Sequence, residues 1–382
     1  MRIAIVCSYY PWPPSVGGVE TIVRNVSTEL AKRGHEVHVI TAPFDVTTGK
    51  QVSDYGVEER DGVIVHKLKP GKVKIGYARL LKGLKETIEK IKPEIVHEHN
   101  LHPHLFQLAG WRSELRYKLV AELHHPAVNL DFFVQKILLP FTAYLMKRIS
   151  SNIDVFLAHT NLEKSWLISK DVREDAIEVI RPPLIPSRLF LYGVKAASDS
   201  PSRLLYVGRI VPKKGLHVLI KALSLVNNVG NIELAIAGPV EEKYLRKLQN
   251  LVAELKLEIH VEFKGRITEK EKVGLMSACS VFVCPTLADY HPIVLVEAQA
   301  LGAPVISTKV GAIPEIVLHG KTGLLIEPNN ERELAKAIDA LLEDESLRRR
   351  FSLNARKFAE NFVLERHVDK LEALYHEVLN HK

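Results

Sequence analysis

Three stretches of the chain put ligand-binding side chains directly after short apolar runs. The first is Pro14-Ser15-Val16-Gly17-Gly18-Val19-Glu20-Thr21, which leads into a helical pattern. Paired glycines let the backbone approach a ligand, and a helix start offers free N–H groups to a phosphate; a tight strand-to-helix turn is the alternative. The second is Gly208-Arg209-Ile210-Val211-Pro212-Lys213-Lys214-Gly215. Arg209 and Lys214 bracket a turn, where a forked guanidinium and a point-charge ammonium could converge on a diphosphate; two solvated surface cations would look the same. The third runs from Pro285 through Asp289, Tyr290, His291 and Pro292 to Glu297 and Ala298. Asp289 follows an apolar run and Glu297 lies eight positions later on a helical pattern, so a loop and a helix could each offer a carboxylate to sugar or ribose hydroxyls. A helix cap plus an exposed acid is the plainer reading.

Histidines form a further group: His97, His99, His102 and His104, with His124 and His125 later. Imidazoles gathered at strand ends can bind zinc or iron. The acids of a hydrolytic metal site are sparse nearby, and alternation along a strand turns Glu98 and Glu122 away from their strand neighbours. No metal is assigned on this pattern, and His99 and Asn100 are expected to line an acceptor side.

These residues need elements to hold them. Uniformly apolar runs at Ile3–Cys7, Glu36–Thr41, Val63–Leu68, Ile95–His97, Leu119–Leu123, Val155–Ala158 and Ile177–Ile180 read as parallel strands covered on both faces. After a Pro-rich stretch between Arg181 and Pro201, a second series begins: Arg203–Val207, Ile232–Ala237, His260–Phe263, Val281–Cys284, Val305–Ser307 and Gly323–Ile326. Helical patterns such as Lys214–Asn227 and Lys270–Ala278 alternate with them, and the tail is helical from Glu331 with a break near Asn361–Val363. The fold class is α/β, with two doubly wound Rossmann-like domains facing a central cleft. They are expected at 1–185 and 186–361, with a C-terminal helix at about 362–382 packing back on the first. In such sheets ligands bind outside the carboxyl ends of the strands, where the motifs above fall.

Taken in order, Gly17-Gly18, His124, Gly208-Arg209 with Lys214, Gly238-Pro239 and Glu297 resemble a retaining glycosyltransferase of family 4 with the GT-B architecture, a relative of glycogen synthases, sucrose synthases and phosphatidylinositol mannosyltransferases. The stretch from Gly311 to Glu327 adds to the likeness, which covers almost the whole chain. The resemblance implies a nucleotide-diphosphate-sugar donor in the second domain and a sugar, glycolipid or lipid-linked hydroxyl as acceptor. It implies that Glu297 binds the ribose, that Arg209 and Lys214 neutralise the diphosphate without a metal, and that no cofactor is needed. By the same resemblance Gly17 and Gly18 place amides near the donor phosphate, Gly238 lies at the donor site, and His124, rather than His125, contacts the transferred sugar. Retention would proceed by attack on the donor's own face, so no protein nucleophile is nominated. The family usually shows Glu-x-Phe-Gly before its last acid. Here Asp289 is one methylene shorter, and Pro292 supplies no N–H where glycine would, leaving Ile293 and Val294 as the available donors. Two alternatives share the architecture: a nucleotide-sugar epimerase and a catalytically silent nucleotide-sugar-binding protein.

Composition bounds the rest. The 382 residues suit two domains, and 46% hydrophobic residues exclude a disordered chain. Three cysteines without metal-type spacing point to a reducing, cytoplasmic setting. The first apolar run is too short for a secretion signal, and Phe132–Met146 is too short and interrupted to span a bilayer. From His66 to Lys92, nine Lys/Arg face two Glu, an excess of +7 equal to the net charge of the whole chain. A charge confined to one patch and lacking interleaved aromatics argues against nucleic acid. Tyr77–Lys92 reads as an amphipathic helix, with Leu81, Leu84, Ile88 and Ile91 on one face. Its basic face is either simply solvated or able to dock peripherally on anionic lipid at the inner face of a membrane. Phe132–Ile149 is a second possible contact.

Overall fold

The computed structural model describes residues 1–12, 18–45, 49–75, 78–99, 103–124, 147–192, 202–289 and 291–380. Gly17, Tyr77, Asn100, His102, His125, Tyr290 and most of Phe132–Ile149 lie outside these residues. The chain divides into two compact units: Met1–Pro183 with Leu364–Lys382, and Leu184–Val363.

The first unit is built on β1 (Arg2–Val6), β2 (Glu36–Thr41), β3 (Gly56–Arg60), β4 (Val63–Lys67), β7 (Ile95–His99), β8 (Lys118–Glu122), β9 (Val155–Ala158) and β10 (Ile177–Val179), with β5 (Pro70–Ile75) and β6 (Ala78–Leu81) as a separate hairpin. The main sheet runs β10-β9-β8-β7-β1-β2-β4-β3, parallel except for the β3–β4 pair at its edge. Along β1, Ile3 and Ile5 enter one hydrophobic core while Ala4 and Val6 enter another on the opposite face. A strand buried on both sides can afford no polar alternation, which is why these runs are apolar throughout. Helices α1 (Gly18–Lys32), α2 (Leu84–Ile91), α3 (Pro103–Leu115) and α4 (Asn161–Ile168) follow strands. The terminal helix Leu364–Asn380 packs on this unit: Arg33 of the segment after α1 is paired to Asp369 at 2.7 Å and to Glu372, and Val368, Leu371 and Tyr375 join the core of Ile3 and Ile5.

One expectation is corrected here. The helix expected over Tyr77–Lys92 is instead the strand β6 followed by the shorter α2, because Gly83 adopts a left-handed conformation (φ +80°) and breaks the period. Leu81, Leu84, Ile88 and Ile91 are all buried in the core. The apolar stripe is therefore not available to a membrane. No helix among the described residues is long and apolar enough to cross one.

The second unit carries β11 (Ser202–Val207), β12 (Ile232–Ala237), β13 (Val261–Gly265), β14 (Val281–Cys284), β15 (Val305–Thr308) and β16 (Gly323–Ile326), all parallel in the order β13-β12-β11-β14-β15-β16. The intervening helices are α5 (Leu216–Leu223), α6 (Glu242–Glu254), α7 (Glu269–Ala278), α8 (Ile293–Ala300), α9 (Ile313–Ile316), α10 (Glu331–Glu343) and α11 (Glu345–Ala359). From β11 the chain first winds outward to β13 and then back across to β14 and outward to β16, so the direction reverses between β11 and β14. That reversal point is where open α/β sheets bind ligands. The Pro-rich stretch is only partly a connection, since Leu184, Ile185 and Leu189 lie in the core of this unit.

Candidate active site

The strand ends at the reversal point are pressed together by glycine. Gly208 follows β11 and donates its N–H to Ala237 O at 2.9 Å. A Cβ on Gly238, which follows β12 with φ +138°, would sit 2.0 Å from Gly208 O, so no other residue fits there. The buried Tyr206 hydroxyl donates to Arg209 O at 2.9 Å and braces the turn. The Arg209 side chain is exposed, and its guanidinium has no ion-pair partner among the described residues.

Lys214 closes a short 3-10 turn, Pro212–Lys214, that ends at Gly215 in the left-handed region (φ +68°). A Cβ at Gly215 would lie 2.1 Å from Pro285 O, in the loop after β14. That loop is stitched back by Leu287 N–H donating to Lys213 O at 2.8 Å and by Thr286 Oγ1 donating to the same oxygen at 3.3 Å. The loops after β11 and β14 thus form one surface. Across it the Lys214 ammonium donates to the Asp289 carboxylate, both side chains mostly buried.

Glu297 lies on α8, behind Pro292 at the helix start. Its Oε1 accepts from Lys272 Nζ at 2.8 Å, and Lys272 also reaches Glu269 at 2.9 Å. Burial pushes the Glu297 carboxyl above its ordinary value, with Lys272 opposing the rise. Burial alone would depress the Lys272 ammonium, but Glu297 and Glu269 together outweigh it and the net shift is upward. Lys272 does not stand out in the sequence. It sits among glutamates on α7 like any solvated lysine, and only the packing of α7 beside α8 reveals its partner. Ile293 and Val294 open α8, so their N–H groups have no intrahelical acceptor.

In the first unit Gly18 opens α1. His124 is not where a ligand-facing residue would be expected. It is 5% exposed, and its Nε2 lies 2.8 Å from His99 Nδ1 and 2.9 Å from Glu122 Oε1. Its Nδ1 has no hydrogen-bond partner among the described residues. His99, expected on an acceptor surface, is fully buried. Glu122 does point away from Ala121 and Leu123, but β7 and β8 pair His99 with Glu122, so this alternation turns the carboxylate toward the histidines. Glu98 faces the other side, 3.6 Å from His104, and burial pushes its carboxyl up to about 7. His159, just after β9, completes the group with Nε2 at 3.0 Å from Glu122 Oε1. Burial would raise the Glu122 carboxyl, but the surrounding imidazoles hold it well below the usual range. Burial opposes a charge on His159 as well, yet the Glu122 carboxylate carries that imidazole up to about 9.

Residues 16–188 match the family described as Glycosyltransferase Family 4, and residues 193–358 the one described as Glycosyl transferases group 1. Between them they cover both units. The chain is a glycosyltransferase of family 4. An uncharacterised glycosyltransferase of Methanocaldococcus jannaschii is 27% identical over 99% of both chains. A D-inositol 3-phosphate glycosyltransferase of Pseudarthrobacter chlorophenolicus is 29% identical over 88% of this chain and 85% of that one. An Anabaena protein solved in complex with UDP superposes with a TM-score of 0.75 at 21% identity, covering 99% of this chain and all of that one. The glycosyltransferase therefore has the GT-B fold, two Rossmann-like domains each built on a parallel sheet.

Proposed function

We propose that this glycosyltransferase moves a sugar from a nucleotide-diphosphate-sugar to an acceptor hydroxyl with retention of anomeric configuration, and that its own cations, rather than a metal, take up the leaving diphosphate. The observation that carries the reading is the pairing of exposed Arg209 with Lys214 at the carboxyl ends of β11 and β14, where the short Asp289 side chain is the anionic partner of Lys214 among the described residues. A diphosphate arriving there would take the place of that carboxylate. Charge builds on the leaving group as the sugar–phosphate bond breaks, and pre-aimed cations in a fixed loop give the largest available help. Glu297, held by Lys272, is proposed to accept hydrogen bonds from the ribose. Asp289, once released, and the Ile293 and Val294 amides are proposed to face the transferred sugar. Gly17, Gly18 and His124 keep their roles at the donor phosphate and sugar on sequence resemblance alone.

The UDP held by the Anabaena neighbour supports a nucleotide donor, and the inositol-phosphate name of one relative is in keeping with a hydroxylated, carbohydrate-like acceptor. A thermal-shift screen with nucleoside diphosphates and their sugars identifies the donor, because a ligand bound only by the folded state raises its stability. With that donor, Arg209→Ala combined with Lys214→Ala is expected to lower transfer by at least ~10³-fold while the unliganded melting temperature holds. Turnover near that of the wild type would overturn the assignment.

A further inference from the structure

Of the two oxygens of Glu297, the acid proposed to meet the ribose, one is already taken. Oε1 accepts from Lys272 Nζ at 2.8 Å, while Oε2 has no hydrogen-bond partner among the described residues. Lys272 is held from the other side as well, by Glu269 Oε2 at 2.9 Å. We propose that Lys272 is a positioning residue for nucleotide recognition: it keeps the Glu297 carboxylate charged and fixes Oε1, so that Oε2 is presented to the ribose hydroxyls of the donor. The proposal rests on the reading of Glu297 given above and adds to it a residue that no sequence motif marks.

Three features support it. The first is that both partners stand on fixed elements. Helix α7 begins with a capping box, Thr268 Oγ1 accepting from Glu271 N–H at 3.2 Å and Glu271 Oε2 from Thr268 N–H at 2.7 Å. The Lys272 N–H closes the same turn on Thr268 O at 2.9 Å. Val273 and Met276 then seat α7 in the core that also holds Leu295, Val296 and Ala298 of α8. Side chains carried on packed helices keep their geometry when a ligand arrives.

The second feature is charge. Burial pushes the Glu297 carboxyl up, toward the neutral acid, and Lys272 opposes that rise. The protonation state matters to a sugar, because an ionised carboxylate accepts with both oxygens while the acid must place an O–H of its own. Hydrogen bonds to an ionised acceptor are also the stronger kind. The other charged group of α7 that acts on Glu297 is Glu269, which works in the opposite sense. On α11, which packs along α8, Arg356 turns its guanidinium to Ala300 O at 3.0 Å instead.

The third feature is the contrast with Lys214. That lysine has a single carboxylate partner among the described residues, whose place the diphosphate is proposed to take. Lys272 has two, and a ribose meeting Oε2 displaces neither.

The test measures the affinity of the full chain for UDP, GDP and ADP by calorimetry and follows the tightest of them across the range from about pH 5.5 to 9. Lys272→Met, which keeps the aliphatic stem, is expected to weaken binding about tenfold at neutral pH, the usual worth of a hydrogen bond to a charged group. Without its lysine the Glu297 carboxyl lies higher still, so the ratio of variant to wild-type affinity should fall further as the pH is lowered and recover as it is raised. Taking the ratio cancels the titration of the diphosphate itself. Lys272→Arg, able to bridge the same two carboxylates, should restore most of the lost affinity. A loss that is the same at every pH, or that arginine does not restore, would mark a merely structural pair and overturn the proposal. Glu297→Gln separates the two readings. If it binds as tightly as the wild type, or if the wild type binds none of the three nucleotides, the ribose assignment falls and the proposal with it. If Glu297→Gln binds weakly and Lys272→Met binds like the wild type, the proposal alone falls. A crystal of the wild type with the bound nucleotide needs no variant: Oε2 is expected at hydrogen-bond distance from the ribose with Lys272 still on Oε1, and a lysine swung away from Glu297 would overturn the proposal as well.

Discussion

Both units place charged side chains at the carboxyl ends of parallel strands, but they keep them in different ways. Around the reversal point of the second sheet, each acid is paired with a lysine near the surface: the side chains of Lys214 and Asp289 are 13% and 20% exposed, those of Lys272 and Glu297 18% and 15%. In the first unit one carboxylate is surrounded by imidazoles whose side chains are at most 3% exposed. An ammonium on a flexible stem at the edge of water can change partners at little cost. An imidazole locked in a dry cluster cannot, because leaving a buried charge unpaired costs several kcal/mol. The comparison separates lysine–carboxylate pairs at the edge of water, where the proposed exchange for a ligand costs little, from a cluster whose burial holds its members in place.

The sharpest way to break that contrast is to remove the central carboxylate. Glu122→Gln keeps the shape but leaves His159 without its counter-charge, and a buried pair broken on one side typically costs about 3–5 kcal/mol. That is a large share of a domain's stability. Urea unfolding of the variant at neutral pH should show it. A loss within about 0.5 kcal/mol, as for an ordinary surface change, would mean that the imidazoles do not depend on Glu122.

The strands were legible wherever both faces are covered, since burial leaves a continuous apolar run, as at Ile3–Cys7 and Val281–Cys284. β3 was not, because an edge strand reading Gly-Val-Glu-Glu-Arg is largely exposed and has the composition of a loop. The period through Leu81, Leu84, Ile88 and Ile91 was real, but it continued across a break that only the backbone at Gly83 shows. Arg209, Lys214 and Glu297 could be picked out because each lies in a local motif. Their partners were hidden by distance along the chain: Asp289 is 75 residues from Lys214, and Lys272 is 25 from Glu297. The histidines and the outward turn of Glu122 from its strand neighbours were legible, but that this turn carries its carboxylate to the histidines was not, and His159 was missed. Which residues share a face across β7, β8 and β9 depends on strand register, and spacing within one strand carries no information about it.

The Lys214–Asp289 pair sharpens the comparison from the other side. If Asp289 competes with the diphosphate for Lys214, then Asp289→Asn should bind a nucleoside diphosphate more tightly. A partly exposed pair is worth up to about 1 kcal/mol, so the gain should be about fivefold by calorimetry. Transfer from the full donor should fall in the same variant, since the carboxylate proposed to meet the sugar is gone. Unchanged or weaker diphosphate binding would show that the pair is not exchanged.

The smallest effect belongs to a second histidine pair in the first unit, one nearer the surface. His66 Nε2 lies 3.0 Å from His38 Nδ1. Burial, with some help from the His38 charge, lowers the His66 imidazole to about 4. The folded chain therefore keeps this ring neutral, while the unfolded chain takes up a proton as the pH falls below about 6.5. Its contribution to stability is complete above about pH 6.5 and is lost between there and about pH 4, since the unfolded state binds the extra proton. The ring is half-buried, so solvent screening keeps the change between pH 7 and 5 to less than about 1 kcal/mol. His66→Gln should flatten the acid limb of a stability–pH curve by that amount and leave the neutral plateau nearly unchanged. An identical acid limb in the variant would mean that His66 takes its proton in the folded chain as readily as in the unfolded one, and that dryness in this unit is confined to the ring of imidazoles around Glu122.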